Sequence, residues 1–521
     1  MHWAYQMAKD LIRKYPDRET FICASGISPS GSVHIGNFRE IVTTFFVVKA
    51  LKDLGKSTRF ILSWDDYDRF RKVPRNVDPS FEKYIGMPYS DIPDPFGCHV
   101  SYADHFEKEL EESAKAFGIA PEYIYQSKEY KSGRYNEHIL HALKNRRTIY
   151  DLLMAFKTND SSEAERNAFY PITIYCESCG KDDTEIQGFD EERGLIEYTC
   201  RCDYHNVLEV MEGRNIKLNW KVDWPMRWMV EDVIFEPGGR DHSSETGSYN
   251  VSKKIARTIF DHNAPDYVAY DFIGIKGQQG KMSSSSGNSI TPSELLKVYL
   301  PEIILFMFAK YKPGAAFTIG LDEDVLKNYQ EYERYRASYL GYSLQDEAIR
   351  RSIELVEISD EENHLPKFNQ VAGILPLVNF DIELLADVLS KMGEDYSPED
   401  IEKTISRATH WIQHYQSQKM IQVNEKIDHL FYQSLSKVEV NWLRELCDVI
   451  RESKPLNQEQ LMRQIYDICH HEDKKIKKAN QKRLFQIVYR LVLDSTSGPR
   501  LPLLIKAVGP SRMLSLLDFD R

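Results

Sequence analysis

The sequence predicts an α/β fold with a parallel sheet, interrupted by a long insertion and followed by an all-helical part. Three observations lead there. An apolar run of strand length, 21–24, passes through a loop rich in Gly, Ser and Pro. It enters an apolar pattern at helical spacing (Ile41, Val42, Phe45, Phe46, Val48, Leu51, Leu54) that stops at Gly55. A second buried-strand pattern, 58–64, ends in Asp65-Asp66, completing a strand–helix–strand unit of the kind that places ligands at the carboxyl ends of parallel strands. Beyond Thr291 almost every segment has helical periodicity and none reads as a strand.

A chain of 521 residues is too long for one core, so two to four domains are expected. Hydrophobic content of 42% with 28% charged residues is that of a soluble globular protein. No apolar run approaches the roughly 18 residues of a membrane span, and the longest, 303–309, reads as a buried helix. Residues 1–19 lack a signal peptide's apolar segment, so a cytoplasmic protein without membrane contact is expected. A net charge of −12 is awkward for a nucleic-acid binder unless its cations are clustered. Lys474, Lys475, Lys477, Lys478, Lys482 and Arg483 do cluster, a pattern that a solvated helix face explains equally well.

In order, residues 1–70 read as the first half of a catalytic domain and 71–214 as an insertion interrupted by Pro, Gly and polar residues. The sheet is expected to resume near Ile216. Gly238-Gly239 then lead through Asp241-His242 into a helix over 243–260, and 268–275 reads as a strand before the loop of Lys281. The second catalytic half is placed at 215–290, a helical connecting region at 291–345, and a helical domain at 346–521. Thr291-Pro292-Ser293-Glu294 and Ser397-Pro398-Glu399-Asp400 are helix starts, each with an N-cap residue and Pro at the first helical position.

The turn after the first strand is neither a P-loop nor a G-x-G-x-x-G loop. It carries His34-Ile35-Gly36-Asn37, where strand, Gly-rich turn and helix start present N–H groups to phosphate. Far downstream stands Lys281-Met282-Ser283-Ser284-Ser285-Ser286-Gly287. Together these resemble the HIGH and KMSKS motifs of class I aminoacyl-tRNA synthetases. The wider context, SGISPSGSVHIGNFRE with KMSSSSG, is similar to the class I lysyl-tRNA synthetases, from Ser25 to about Arg500.

That resemblance implies an enzyme that activates L-lysine with ATP and Mg²⁺ and transfers it to tRNA(Lys). It implies a parallel nucleotide-binding sheet and an anticodon-binding helical domain. His34, Asn37 and Lys281 are then the catalytic set, and Gly36, His242, Ser283 and Ser284 join them around ATP. Gly26, Ser28, Trp220, Asp223, His242 and Tyr270 are implied for the amino acid, with aromatic walls suited to a lysine side chain. Core packing competes for Trp224 and Trp228. The chain departs from the motifs at Asn37, which replaces His, and at Ser284, which replaces the second Lys. Its ammonium-binding carboxylate stays open among Asp65, Asp66 and Asp223. Rival readings are a synthetase for another amino acid (glutamate the nearest), a small nucleotidyl transferase, and a tRNA-binding module without catalysis.

Cys176-x-x-Cys179 followed by Cys200-x-Cys202 supplies two close thiol pairs, the ligand set of structural Zn²⁺, with His205 as an alternative ligand and a redox dithiol as the rival. Asp94, Cys98, His99 and His105 resemble a second zinc site of the lysyl family, with Pro95 and Gly97 permitting the tight turn.

Overall fold

The computed structural model describes residues 2–157, 162–277, 290–357, 365–420, 423–453 and 458–519. The chain divides into two compact units, one of Met1–Leu296, Leu300–Gly320 and Tyr332–Ile358, the other of Lys297–Tyr299, Leu321–Glu331 and Ser359–Arg521.

In the first unit, helix α1 (Trp3–Lys14) precedes strand β1 (Thr20–Ile27), helix α2 (Ile35–Asp53) and strand β2 (Ser57–Trp64). Helix α3 (Tyr102–Ala116) then leads to strand β3 (Glu122–Tyr125). The three strands are parallel in the order β1-β2-β3, with Ile27 opposite Trp64 and Trp64 opposite Tyr125. β3 therefore extends the sheet from inside the stretch read as an insertion. The other edge of β1 is also paired. Ala24 N–H donates to Phe235 O and Ile234 N–H to Ile22 O, both at 2.9 Å, while Asp266 N–H donates to Ile234 O at 2.8 Å. β1 is thus central: the chain leaves it toward β2 and returns much later on its other side. Such a reversal opens a crevice at the carboxyl ends of the strands.

α2 buries Ile35, Phe38, Ile41, Val42, Phe46, Val47 and Leu51, which is why its apolar residues run round more than one face. Each such side chain contributes about 1.5–3 kcal/mol on burial. Gly55, at φ +77°, ends the turn after it.

Several expectations are corrected. Ile216–Leu218 pairs antiparallel with Ile172–Ile174 and so does not resume the parallel sheet. The 268–275 strand is two pieces, Ala269–Tyr270 paired with Gly238–Gly239 and Ile273–Ile275 paired with Phe317–Ile319. Asp271 breaks it, because its N–H turns to Pro313 O and its carboxylate accepts from Phe272 N–H. Phe317–Ile319 is also a strand where only helices were expected; three residues are too few to show a period. The helix after His242 runs over Ser248–Ile259 rather than from 243. Its cap, Gly247, lies so close to His242 that an added Cβ would stand 2.4 Å from that carbonyl oxygen, so the turn needs glycine.

Both anticipated caps form. Thr291 Oγ1 accepts from Glu294 N–H at 3.2 Å while Glu294 accepts from Thr291 N–H, and Ser397 accepts from Asp400 N–H. The helix Pro301–Ala309 is buried as predicted. The second unit has helices and no strand among its described residues; its longest are Pro398–Tyr415, Lys437–Arg451 and Lys474–Leu493. Tyr329 stacks on Phe368 there, 4.0 Å between centroids, so that tyrosine is core. No described helix is long and apolar enough to cross a membrane.

Candidate active site

The crevice gathers the carboxyl ends of β1, of β2 and of the 234–236 segment. At its first wall His34 caps α2, its Nδ1 accepting from Gly36 N–H at 3.1 Å and Asn37 N–H at 3.2 Å. An accepting Nδ1 means that the neutral ring carries its proton on Nε2. Asn37 is exposed in the first turn, where the helix end favours anions. Ser28 lies in the loop between β1 and His34, which Tyr102 holds by donating from its hydroxyl to Ser30 O at 2.9 Å.

Lys281, Ser283 and Ser284 lie outside the described residues, but the chain on either side of them is fastened to α2. Ile35 N–H donates to Ile290 O at 2.9 Å. Arg39, buried in the next turn, donates to the carbonyl oxygens of Asp271, Lys312 and Ala315 at 2.7, 3.1 and 2.8 Å, and its guanidinium lies over the Phe317 ring. The roots of the connection that carries Lys281 are therefore tied to the helix that begins at His34.

The opposite wall is aromatic. Helix Trp220–Glu231 stacks Trp220 on Trp224 at 5.0 Å and Trp224 against Trp228 at 4.8 Å, and the His242 ring lies 6.0 Å from Trp224. Beneath them Asp223, 1% exposed, accepts from the Tyr130 hydroxyl at 2.5 Å and pairs with Arg227 at 3.1 Å and Lys217 at 3.5 Å. Arg227 also pairs with Asp65 at 2.7 Å, and Asp66 accepts from Ser127 N–H at 2.7 Å. All three carboxylates considered for a ligand ammonium are thus engaged by protein donors. They form the floor of the site.

Two other carboxylates face Gly26, and the sequence reading did not single them out. Gly26 N–H donates to Glu40 Oε1 at 2.9 Å, and Tyr270 donates its hydroxyl to Glu40 Oε2 at 2.8 Å. Glu236, 5% exposed, accepts from Trp228 Nε1 at 2.6 Å, and its Oε1 lies 3.9 Å from where a Cβ on Gly26 would stand. Burial pushes both up, Glu40 to about 8 with the charge of Glu236 adding to it, and Glu236 to about 7 with that of Asp65 adding to it. A cation set against these carboxyl groups would offset that cost and draw them back toward the ordinary carboxylate range. The available signals were spacing and order: Glu40 follows His34 by six positions on α2, and Glu236 follows the third strand segment as Asp65 follows β2.

Gly238 approaches Tyr267 so closely that a Cβ would lie 2.3 Å from its hydroxyl oxygen, which bonds Ser243 Oγ at 2.8 Å. Gly238→Ala is expected to destabilise the chain by about 1–3 kcal/mol in urea unfolding. Tyr267→Phe should restore part of that loss; no loss in the single variant would show that the ring moves freely.

Both predicted ligand clusters assemble. The Cys176, Cys179, Cys200 and Cys202 sulfurs lie within 4.8 Å of one another, with Cys176–Cys202 and Cys179–Cys200 each at 3.7 Å. Tetrahedral Zn–S bonds of about 2.3 Å put sulfurs about 3.8 Å apart, whereas a disulfide needs about 2.05 Å. His205 is not in the set; its Nε2 pairs with Glu197 at 3.0 Å. In the second cluster, Cys98 Sγ stands 3.1 Å from His99 Nδ1 and 3.3 Å from His105 Nδ1, and Asp94 Oδ1 is 3.4 Å from His105. Asp94 also accepts from the N–H groups of Phe96, Cys98 and His99, and Gly97 turns at φ +71°, so the loop wraps its own carboxylate.

The family described as "tRNA synthetases class I (K)" matches residues 1–362. A lysine–tRNA ligase of Treponema pallidum is 35% identical over 99% of this chain and 98% of its own length. One from Pyrococcus horikoshii is 34% identical over the whole of both chains, and one from Streptomyces coelicolor 30% identical over 99% and 98%.

Proposed function

The chain belongs to the class I tRNA synthetases of the lysine type, and from that premise we propose how its residues join L-lysine to tRNA(Lys). It is an aminoacyl-tRNA synthetase. The lysine carboxylate attacks the α-phosphorus of ATP, pyrophosphate leaves, and lysyl-adenylate forms. A hydroxyl of the terminal tRNA ribose then attacks the adenylate's carbonyl carbon, and AMP leaves. Little covalent work falls to the protein, so positioned donors and cations carry the rate.

The observation that carries the lysine assignment is the pair Glu40 and Glu236 on either side of Gly26. We read them as the partners of the ε-ammonium, with Tyr270 orienting Glu40 and Trp228 orienting Glu236. Trp220, Trp224 and His242 line the opposite wall for the aliphatic stem and the adenosine. Asp223 acts from below, fixing Arg227 under the Trp220 ring. Glutamate as substrate would set a third carboxylate against these two. His34 Nε2–H and the Asn37 amide are the donors assigned to the phosphates, and Lys281 the cation that meets the leaving pyrophosphate. Mg²⁺, brought with ATP, supplies further neutralisation of phosphate charge.

Charging of total tRNA with each of the twenty labelled amino acids, with ATP and Mg²⁺ present, tests the reading. Lysine alone should reach tRNA; charging by another amino acid would overturn the pocket assignment.

The four-cysteine cluster fits structural zinc, since it fills all four positions with thiolates and leaves none open for chemistry. Asp94, Cys98, His99 and His105 fit a second ion of the same kind. Metal analysis of the purified chain is expected to give two zinc per chain. Cys179→Ser should leave one and lower Tm, and His105→Ala should leave the other. Two zinc retained in either variant would refute that cluster's role.

A further inference from the structure

Helix α3 meets the phosphate side of the crevice at three places. Tyr102 donates its hydroxyl to Ser30 O in the loop before His34, and Phe117, just past the helix, packs on Phe38 of α2 at 4.9 Å. α3 also lies against the helix Pro292–Leu296, which follows the connection that carries Lys281. Among the described residues no backbone–backbone hydrogen bond reaches 28–33, so the Tyr102 bond is the tie on that loop's backbone. Packing does not call for the hydroxyl. Tyr102 is fully buried beside Phe70 at 5.2 Å and Phe106 at 4.9 Å, a nest that phenylalanine would fill equally well. Tyr89 stacks on it at 5.6 Å with the Ser28 hydroxyl beside its own, so both tyrosines meet the same loop.

The first turn of α3 belongs to a ligand cluster. His99 precedes Tyr102 by three residues and His105 follows it by three. His105 N–H donates to Ser101 O at 3.1 Å, and Ser101 caps the helix by accepting from Asp104 N–H. Apolar burial does little for the stretch that leads in, where Phe96 is 48% and Val100 91% exposed. What gathers it is the donor set of Asp94, Cys98, His99 and His105. Through a shared ion, both flanks of Tyr102 would be tied to one point.

We propose that Tyr102 is a positioning residue for ATP and that the Asp94, Cys98, His99 and His105 cluster sets it. With the cluster closed on its ion, the hydroxyl holds 28–33 in the shape that receives the phosphates. With the cluster open, ATP must first order the loop, and its apparent affinity falls by the fraction of chains in which the loop is formed. The proposal rests on the assignment of His34 and Asn37 to the phosphates.

The test uses the full chain, an ATP analogue with a methylene between its α and β phosphates, and excess Mg²⁺. Tyr102→Phe should weaken analogue binding at least about fivefold and raise KM for ATP by a like factor, with KM for lysine within about twofold of the parent's. His105→Ala should weaken the analogue similarly in the parent and little further in Tyr102→Phe. Coupling is reciprocal, so the analogue should tighten zinc at this cluster by the same factor, read by chelator competition. In Tyr102→Phe that tightening should vanish, which also separates it from zinc held by the analogue itself. Tyr329→Phe is the control. It deletes an equivalent buried bond, to Val298 O at 2.9 Å, and should lower Tm about as much while leaving analogue affinity near the parent's. Unchanged analogue affinity in Tyr102→Phe, a matching loss in Tyr329→Phe, or zinc tightening that persists without the hydroxyl would overturn the proposal. If the parent fails to charge lysine while zinc and analogue still tighten each other through Tyr102, the synthetase reading falls and the coupling stands.

Discussion

Replacing Lys281 by alanine is expected to slow lysyl-adenylate formation by about 10²–10³-fold while changing lysine affinity by no more than about twofold. Charge develops on pyrophosphate as it leaves, and a cation that meets it there acts on the transition state rather than on bound substrate. Ser284 stands where the related motif has a second lysine, so the loop holds one ammonium where two are usual and the loss should be correspondingly large. The backbone bond from Ile35 to Ile290 and the Arg39 clamp hold the loop's roots beside His34, and neither is touched by the change. Adenylate formation should be followed in single turnovers with tRNA present. A preserved rate with weakened lysine binding would assign Lys281 to substrate capture instead.

Glu236→Gln is expected to raise the KM for lysine by at least about 30-fold, the lower end of the roughly 2–5 kcal/mol that follows removal of one partner from a buried charge pair. Glutamine keeps an oxygen for the Trp228 N–H, so the fold should hold while the charge is lost. The same pair sets a pH dependence. In the ligand-free site Glu236 and Glu40 ionise only near 7 and near 8, both raised by burial. Lysine's ammonium stays charged up to about 10.4, so affinity should climb at least about tenfold between pH 6 and pH 8.5. The sign is that of raised carboxyls. The folded state holds protons that the unfolded chain has released, so these groups destabilise the free protein as pH rises through that window, and bound lysine reverses the loss. Calorimetry at the two pH values checks it. A flat profile in the parent would place the ammonium elsewhere.

The parts of this molecule that could be read from its sequence are those whose causes are local. The strand–turn–helix around His34, the Thr291 and Ser397 caps and both ligand clusters follow from spacing within a few turns of chain. Glu40 and Glu236 were missed because what marks them is burial, and burial depends on Tyr270, Trp228 and Gly26, brought together from three distant segments. The partners of Asp223 were hidden for the same reason: nothing nearby in sequence says that Tyr130 and Lys217 will meet it. Arg39 is a charged residue on an apolar helix, and only the distant carbonyl oxygens of Asp271, Lys312 and Ala315 explain its burial. Strands of two or three residues, such as Phe317–Ile319, are too short for any period to reveal.

The central place of β1 has a consequence for biosynthesis. β2 emerges soon after it and can pair at once, but the segment that closes its other edge, around Phe235, follows roughly 200 residues later. At about 5–20 residues per second, the growing chain carries that open strand edge for roughly 10–40 s. An unpaired edge is a template for pairing with other strands. On the ribosome, then, the future catalytic crevice passes through an interval in which one of its walls is a site for misassembly.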